Sequence, residues 1–178
     1  MATQIVLLRG INLGAKRRVA MPALRELLTG GGFNDVRTYV QSGNVVLSSR
    51  EAPTRVKDEC ERLISEAFGL DVDVVVRTRH ELAEVVARNP LADVATEPKR
   101  YQVSFLAAAL EESLIDKLRE LALDSERLVA IDRELYVWHP DGVARSKLWN
   151  TLAGKGLGVI ATARNWTTVT TLLAMADE

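Results

Sequence analysis

The sequence predicts an α+β fold built from two ferredoxin-like (split βαβ) subdomains, each with an antiparallel sheet and packed helices. Strand-like and helix-like segments alternate in the order β-α-β-β-α-β over the first half of the chain, and the same order begins again after residue 100. Between the halves, residues 89–100 contain two prolines and are typical of a linker. We therefore predict a first subdomain with an appended helix at 1–88, a linker at 89–100 and a second subdomain with a C-terminal helix at 101–178.

In the first half, strands are predicted from short runs rich in Val, Ile and Leu, and helices from Pro in the first turn and Gly after the last. Thr78 and Glu81 have the spacing of a capping box, which indicates where the third helix begins. Gly43 and Asn44 suit a tight turn inside a hairpin. The predicted elements are a strand at 4–9, a helix from Met21 to the glycines at 30–32, hairpin strands at 36–40 and 45–49, a helix at 53–68, a strand at 71–77 and a helix ending at Arg88.

The second half shows the same kinds of pattern in the same order. Its predicted elements are a strand at 101–107, a helix at 111–121, hairpin strands at 127–131 and 135–138, a helix at 146–153, a strand or extended segment at 158–163 and a closing helix at 167–176. No repeat of individual residues links the two halves. The proposed duplication therefore depends on element order alone.

Composition excludes several classes of site. The formal net charge is −1 and the sequence pI is about 6.2, so nucleic-acid binding would require a local basic patch. Cys60 is the only cysteine and there are only two histidines, which excludes an internal disulfide and a structural zinc. We expect no metal and no cofactor. The sequence has no basic leader and no run of about 18 apolar residues, so we expect a cytoplasmic protein with no membrane partner.

A basic, glycine-containing loop follows the first strand, and a polar turn precedes the third. In a ferredoxin-like sheet these two strands are antiparallel neighbours, so the loop and the turn should share one edge of the sheet. Glycines allow close backbone approach, amide side chains supply donors and acceptors, and Arg9 and Lys16 supply positive charge. Such an edge suits a small anionic ligand, with a phosphate or a nucleotide as the best candidate. The candidate ligand-binding residues are Arg9, Gly10, Asn12, Gly14 and Lys16 in the loop and Gln41, Ser42, Gly43 and Asn44 in the turn.

The alternative interpretation is that both segments are ordinary loops, in which the glycines permit turns and the cations are solvated. The interval from Gly10 to Gly14 and Lys16 does not match a P-loop, and no G-x-G-x-x-G occurs in the chain. Neither His80 nor His139 has a partner histidine at ligand spacing, and no Ser-His-Asp set can be assembled. The catalytic residues are therefore unknown, and whether the protein is an enzyme is left open.

Three segments, Leu8–Gly14, Thr38–Val46 and Thr162–Val169, together resemble the bacterial family named domain of unknown function 1697. The resemblance covers nearly the whole chain. It implies a compact α+β protein of two ferredoxin-like subdomains, and it implies no established activity. Ala15 stands where we expect the family to favour another glycine. The family's motif positions fall on Arg9, Gly10, Asn12, Gly14, Gln41, Ser42, Gly43, Asn44, Arg164, Asn165 and Trp166.

The third of these segments begins a helix, whose first N–H groups favour anions. Asn165 or Thr167 can cap this helix, Trp166 can stack on a ring, and Arg164 can form a two-pronged contact with a phosphate. We therefore add Arg164, Asn165 and Trp166 to the candidate ligand-binding residues. The alternative is that Trp166 anchors the last helix to the sheet and Arg164 pairs with a carboxylate.

Three functional hypotheses follow from the sequence. The leading one is a protein that binds a small anionic molecule at the Arg9–Lys16 loop and the Gln41–Asn44 turn. The second is a nucleic-acid-binding module that uses the Lys16–Arg18 basic patch, for which steep salt dependence of binding would be diagnostic. The third is a protein-interaction module with an exposed sheet edge. The sequence does not indicate the oligomeric state.

Overall fold

The structure is a computed structural model that describes all of residues 1–178 and contains two four-stranded antiparallel sheets. This confirms the predicted α+β class. A short 3-10 turn at Pro98–Arg100 precedes the fifth strand. The elements in chain order are β1 (Ala2–Leu8), α1 (Met21–Gly30), β2 (Asn34–Tyr39), β3 (Asn44–Ser49), α2 (Pro53–Phe68), β4 (Val74–Thr78), α3 (Arg79–Arg88), β5 (Tyr101–Leu106), α4 (Glu112–Leu121), β6 (Arg127–Ile131), β7 (Glu134–Trp138), α5 (Lys147–Ala153), β8 (Ala161–Asn165) and α6 (Trp166–Ala176).

The first sheet has the strand order β2-β3-β1-β4, which is the ferredoxin-like arrangement. Alternate residues of β1, such as Val6 and Leu8, point to the face covered by α1 and α2 and join one buried cluster. Cys60 of α2 lies in the same cluster, and burial raises the pKa of its thiol to about 12. The helices therefore cover one face of this sheet, and the edge strand β2 is its least buried strand.

The second sheet has the order β6-β7-β5-β8 and repeats the topology of the first. The repeat extends to individual backbone hydrogen bonds. The Leu8 N–H donates to the Gly43 carbonyl at 2.9 Å, and the Leu106 N–H donates to the Arg133 carbonyl at the same distance. Leu8 and Leu106 are therefore equivalent positions, which the sequence alone does not reveal because the residues around them differ.

This equivalence also pairs two buried arginines. Arg77 of β4 lies opposite Ile5, and Arg164 of β8 lies opposite Val103. Each arginine is the fourth residue of the strand that comes last along the chain in its sheet. The guanidinium of each donates to the carbonyl of the residue before it, at 3.1 Å and 2.9 Å. The two sheets therefore place the same buried charged residue type at the same position.

Each of these strands runs directly into a capped helix. The predicted capping box is present, with the Thr78 N–H bonded to the Glu81 carboxylate at 2.8 Å and the Glu81 N–H bonded to Thr78 Oγ1 at 3.1 Å. At the start of α6 the Asn165 side chain accepts a hydrogen bond from the Thr168 N–H at 2.9 Å. Asn165 is therefore the cap of the last helix.

Contacts divide the chain into two compact units. The first unit comprises Met1–Glu84 with Thr171–Glu178, and the second comprises Val85–Thr170. Within the first unit, Arg37 of β2 binds the Glu178 carboxylate at 2.5 Å and the Met175 carbonyl at 2.8 Å. The subdomain boundaries inferred from the sequence, 1–88, 89–100 and 101–178, stay a prediction about domain organisation.

Two strands, β4 and β8, begin three residues later than predicted, whereas β1 and β2 begin two residues earlier than predicted, at Ala2 and Asn34. β4 begins at Val74 rather than at 71, because pairing with β1 begins where Val74 meets Leu8. β8 spans Ala161–Asn165 rather than 158–163, because it pairs with residues 102–106 of β5. In both cases the cross-strand partner sets the boundary, and local composition does not contain that information.

Two general features bear on function. None of the helices combines the length and the apolar character needed to cross a bilayer. No group of three or more His, Cys, Asp or Glu side chains is placed to hold a metal ion.

The second unit contains a buried polar cluster that the sequence did not indicate. The Glu126 carboxylate accepts hydrogen bonds from Ser146 Oγ at 2.7 Å and from the Leu123 N–H at 2.9 Å, and it contacts His139 Nδ1. Ser146 also caps α5 by accepting the Trp149 N–H at 3.0 Å. Glu126 therefore connects the loop before β6, the loop after β7 and the start of α5.

We predict that Glu126→Gln lowers the free energy of unfolding by about 3 kcal/mol, because it removes a buried charge around which several donors are arranged. Urea denaturation followed by circular dichroism measures this. The control is Glu120→Gln on the exposed surface of α4, expected to change stability by less than about 0.5 kcal/mol. Equal effects of the two substitutions would contradict the assignment of Glu126 as a structural centre.

Candidate functional site

The loop after β1 and the turn between β2 and β3 meet at one edge of the first sheet. Leu7 of β1 lies opposite Asn44 of β3, and the Leu8 N–H donates to the Gly43 carbonyl at 2.9 Å. The two segments are therefore adjacent, although about thirty residues separate them in the chain, as the order of strands predicts. We call residues 9–18 and 40–44 the loop–turn edge.

Asn12 joins the two segments. Its side-chain amide donates to the Gln41 carbonyl at 2.6 Å and to the Val19 carbonyl at 2.9 Å, and its Oδ1 accepts the Val19 N–H at 2.8 Å. The Asn12 N–H also donates to the Arg17 carbonyl at 3.0 Å, which closes the loop on itself. Asn12 was predicted to contact a ligand, and the structure gives its amide a scaffolding role at the same edge.

Arg17 holds the other side of the loop. Its Nε donates to the Gly10 carbonyl at 3.0 Å, and its Nη2 donates to the Asp71 carbonyl at 2.7 Å. These bonds attach the loop to the segment that precedes β4. In the sequence Arg17 is only one of three consecutive cations, because no local pattern indicates that its guanidinium reaches the carbonyls of residues 10 and 71.

Close packing explains two residues of the turn. Asn44 is fully buried, and its Nδ2 donates to the Tyr39 carbonyl at 3.1 Å and to Ser42 Oγ at 2.9 Å. Gly43 has φ +84°, and a Cβ added there would lie 2.7 Å from the Cβ of Leu8. Gly43 and Asn44 therefore shape the turn against β1 rather than presenting side chains to solvent.

The middle of the loop is free of internal partners. Between Asn12 and Arg17, the backbone N–H groups of residues 13–16 donate no hydrogen bond within the protein. Lys16 and Arg18 are exposed and make no ion pair or hydrogen bond. The remaining predicted residues of the loop are Gly10 and Gly14, with φ +69° and +155° and open space where a Cβ would stand. The loop thus presents donors and positive charge to solvent.

Arg9 and the exposed side chains of Gln41 and Ser42 complete the edge. Arg9 is partly buried and its Nη1 lies 3.8 Å from an Asp73 carboxylate oxygen, which offsets part of its charge. The edge contains four cations, at positions 9, 16, 17 and 18, and the acidic residues in contact with them are Asp73, through its carboxylate, and Asp71, through its carbonyl. The surplus of positive charge favours an anion at this edge.

The second unit provides an internal comparison for this edge. There the connection from β5 to α4 takes five residues, 107–111, whereas the connection from β1 to α1 takes twelve, 9–20. Its hairpin turn has two residues where the turn of the first unit has four. The residue equivalent to Arg9 is Ala107, whose N–H donates to the Ile160 carbonyl as that of Arg9 does to Asp73. The topology therefore forms without a long basic loop, so the composition of residues 9–18 requires another explanation.

The predicted Arg164–Trp166 segment lies in the second unit. Arg164 is buried, its Nη1 donates to Thr162 Oγ1 at 2.7 Å, and burial lowers its pKa to about 10. The Trp166 ring stacks on Tyr101 with centroids 4.8 Å apart. These contacts account for the three residues as packing and capping groups of that unit, and their participation in an anion site stays a prediction.

A cavity of about 380 Å³ lies at the opposite edge of the first sheet, beside the end of β3. Its lining includes Arg55 together with the carboxylates of Glu51 and Glu59. Arg62 binds the Glu59 carboxylate from the next turn of α2. With two acids and one base, this cavity has no surplus of positive charge, so it suits an anion less well than the loop–turn edge does.

The close approach at Gly43 generates a stability prediction with an internal control. Gly43→Ala places a methyl group against the Leu8 Cβ, whereas Gly10→Ala meets nothing within 4 Å, and both glycines have positive φ. We expect Gly43→Ala to lower the free energy of unfolding by about 2 kcal/mol more than Gly10→Ala, since packing strain is added to the backbone cost. Urea denaturation of both variants measures the difference, and equal losses would contradict the close approach.

Comparisons with known proteins agree with the fold and leave the activity open. A conserved bacterial protein from Streptococcus pneumoniae has a similar solved structure, with a TM-score of 0.81, 21% sequence identity and 98% of each chain covered. At this identity the likeness concerns the fold alone. No curated protein matches the chain. A family model described as "Protein of unknown function (DUF1697)" matches residues 1–136. The chain therefore belongs to the DUF1697 family, whose function is unknown.

Proposed function

We propose that this protein binds a small anionic, phosphate- or nucleotide-like ligand at the loop–turn edge. The observation that carries the proposal is the contrast within one loop. Lys16 and Arg18 are exposed and unpaired, while Asn12 and Arg17 hold the loop in place by six hydrogen bonds. Because the loop is already fixed in place and these two cations have no partner, a ligand can bind them without breaking an internal contact.

Preorganisation supports this assignment. A free loop must lose conformational entropy when it binds, and this cost subtracts from affinity. The bonds of Asn12 and Arg17 lie on both sides of residues 13–16, so much of that ordering is complete before a ligand arrives. The four free N–H groups of that segment then add neutral donors beside the two cations.

The exposure of the edge limits the strength of binding. Charge contacts in open solvent contribute up to about 1 kcal/mol each. Four contacts of this strength give a dissociation constant of about a millimolar. Titration by NMR suits this range, and it also reports which residues respond.

A second candidate is a nucleic-acid-binding module that uses Lys16, Arg17 and Arg18. The observation in its favour is that two of these three consecutive cations are free of protein partners. Counterion release would make such binding fall steeply with salt, with a slope of about −0.7 per neutralised phosphate for a single strand. A flat salt dependence of oligonucleotide binding would exclude this role.

We predict that Lys16→Glu combined with Arg18→Glu weakens binding of inorganic pyrophosphate at least about tenfold, because attraction by two cations becomes repulsion by two anions. The matched control is Arg50→Glu. Arg50 is an exposed, unpaired arginine that follows the opposite end of β3, and its reversal should change the dissociation constant less than about twofold.

Titration of the three proteins with pyrophosphate, followed by amide chemical shifts, measures both the affinity and the integrity of the fold. The proposal is wrong if the wild type does not bind pyrophosphate. It is also wrong if the double variant and the Arg50→Glu control bind it equally well.

A further inference from the structure

Two exposed apolar side chains stand at the loop–turn edge. The Leu13 residue is 83% exposed and Val40 is 50% exposed, and neither belongs to the buried cluster of the first unit. Each is next in sequence to one end of the 2.6 Å hydrogen bond between the Asn12 amide and the Gln41 carbonyl. The unpaired cations therefore lie at the same edge as two apolar side chains, whose exposure to water is unfavourable.

Val40 is also held in a conformation that its side chain disfavours. Six non-glycine residues of the chain have positive φ, and four of them are Asn or Asp, which tolerate the left-handed region. The other two are Arg17 and Val40, and both lie at the loop–turn edge. The conformation of Arg17 is secured by its two guanidinium hydrogen bonds.

No comparable interaction accounts for Val40, at φ +51°. A β-branched residue is among the least suited to this region, where Asn or Gly would relieve the strain. The residue is half exposed, so burial of its side chain offsets little of that cost. Strain of this kind is a reason to look for a role in binding.

We propose that Leu13 and Val40 contact the base or the ribose of a free nucleotide whose phosphates lie at Lys16 and Arg18. This inference rests on the proposed function and specifies its ligand. A nucleotide combines phosphate charge with a flat ring system, and the edge combines free cations with two apolar side chains. Inorganic phosphate and small carboxylates have no group that would cover the apolar pair.

The test uses the full chain with Val40→Asn and Leu13→Ser, and Leu123→Ser as the control at another exposed leucine, 41% exposed in the second unit. Each protein is titrated with adenosine monophosphate, inorganic phosphate and a ten-nucleotide single strand. Melting temperatures are measured in parallel. Asn retains the ability to adopt positive φ at position 40 while it removes the apolar contact.

We expect the wild type to bind adenosine monophosphate about tenfold more tightly than inorganic phosphate, since the ring buries apolar surface. Val40→Asn and Leu13→Ser should each remove a large part of that preference and leave phosphate binding unchanged. Leu123→Ser should change neither. Val40→Asn should melt at the same temperature as the wild type or higher, because it relieves strain.

Two results would overturn the inference while the proposed function stands: equal affinity of the wild type for the nucleotide and for phosphate, or a clear loss of melting temperature in Val40→Asn. A third result would overturn the inference and replace the proposed function by the second candidate: binding of the single strand more than about a hundredfold tighter than the mononucleotide. The last result would assign the edge to nucleic acid. Failure of the wild type to bind either phosphate or the nucleotide would instead overturn the proposed function and this inference together.

Discussion

The antiparallel pairing of β1 with β3 is the constraint on which the candidate site depends. It places the Leu8 N–H at 2.9 Å from the Gly43 carbonyl and leaves no room for a Cβ at position 43. The loop that follows β1 therefore lies next to a turn that packs closely against this strand. Asn12 uses this proximity to bond to the turn, and Arg17 bonds to the segment before β4. The positions of the free cations follow from these contacts.

The residues of the loop–turn edge fall into two groups. Asn12, Arg17, Gly43 and Asn44 hold the edge together through hydrogen bonds and close packing. Lys16, Arg18, Leu13 and Val40 are left exposed beside them. The second unit has the same strand order and the same backbone bonds at the equivalent edge, yet it closes the connection with five residues and has Ala107 in the place of Arg9. The long basic loop is thus an addition to a fold that forms without it, and this contrast is one of the observations behind the proposed anion binding.

The sequence was sufficient to predict the order of elements, the capping box at Thr78 and the adjacency of the loop and the turn, since each depends on local pattern or on strand topology. It could not show that Asn12 bonds to Val19 and Gln41, because these partners depend on the path of the loop. The contact between Glu126 and His139 could not be predicted for a similar reason, as the two residues are thirteen positions apart and match no motif. The burial of Arg77 and Arg164 could not be predicted either, since an arginine in a strand is ordinarily exposed. It becomes visible only once the register of both sheets is known.

The measurement that tests anion binding at the loop–turn edge most directly is an NMR titration of the nitrogen-15-labelled wild type with inorganic phosphate. If the loop–turn edge binds anions, the largest amide shift changes will fall at residues 9–18 and 40–44, and will include the free N–H groups of 13–16. Anion binding at this edge is contradicted if those amides do not respond. It is equally contradicted if the changes centre on Phe33, Ser49 and Arg55 around the cavity at the opposite edge of the same sheet.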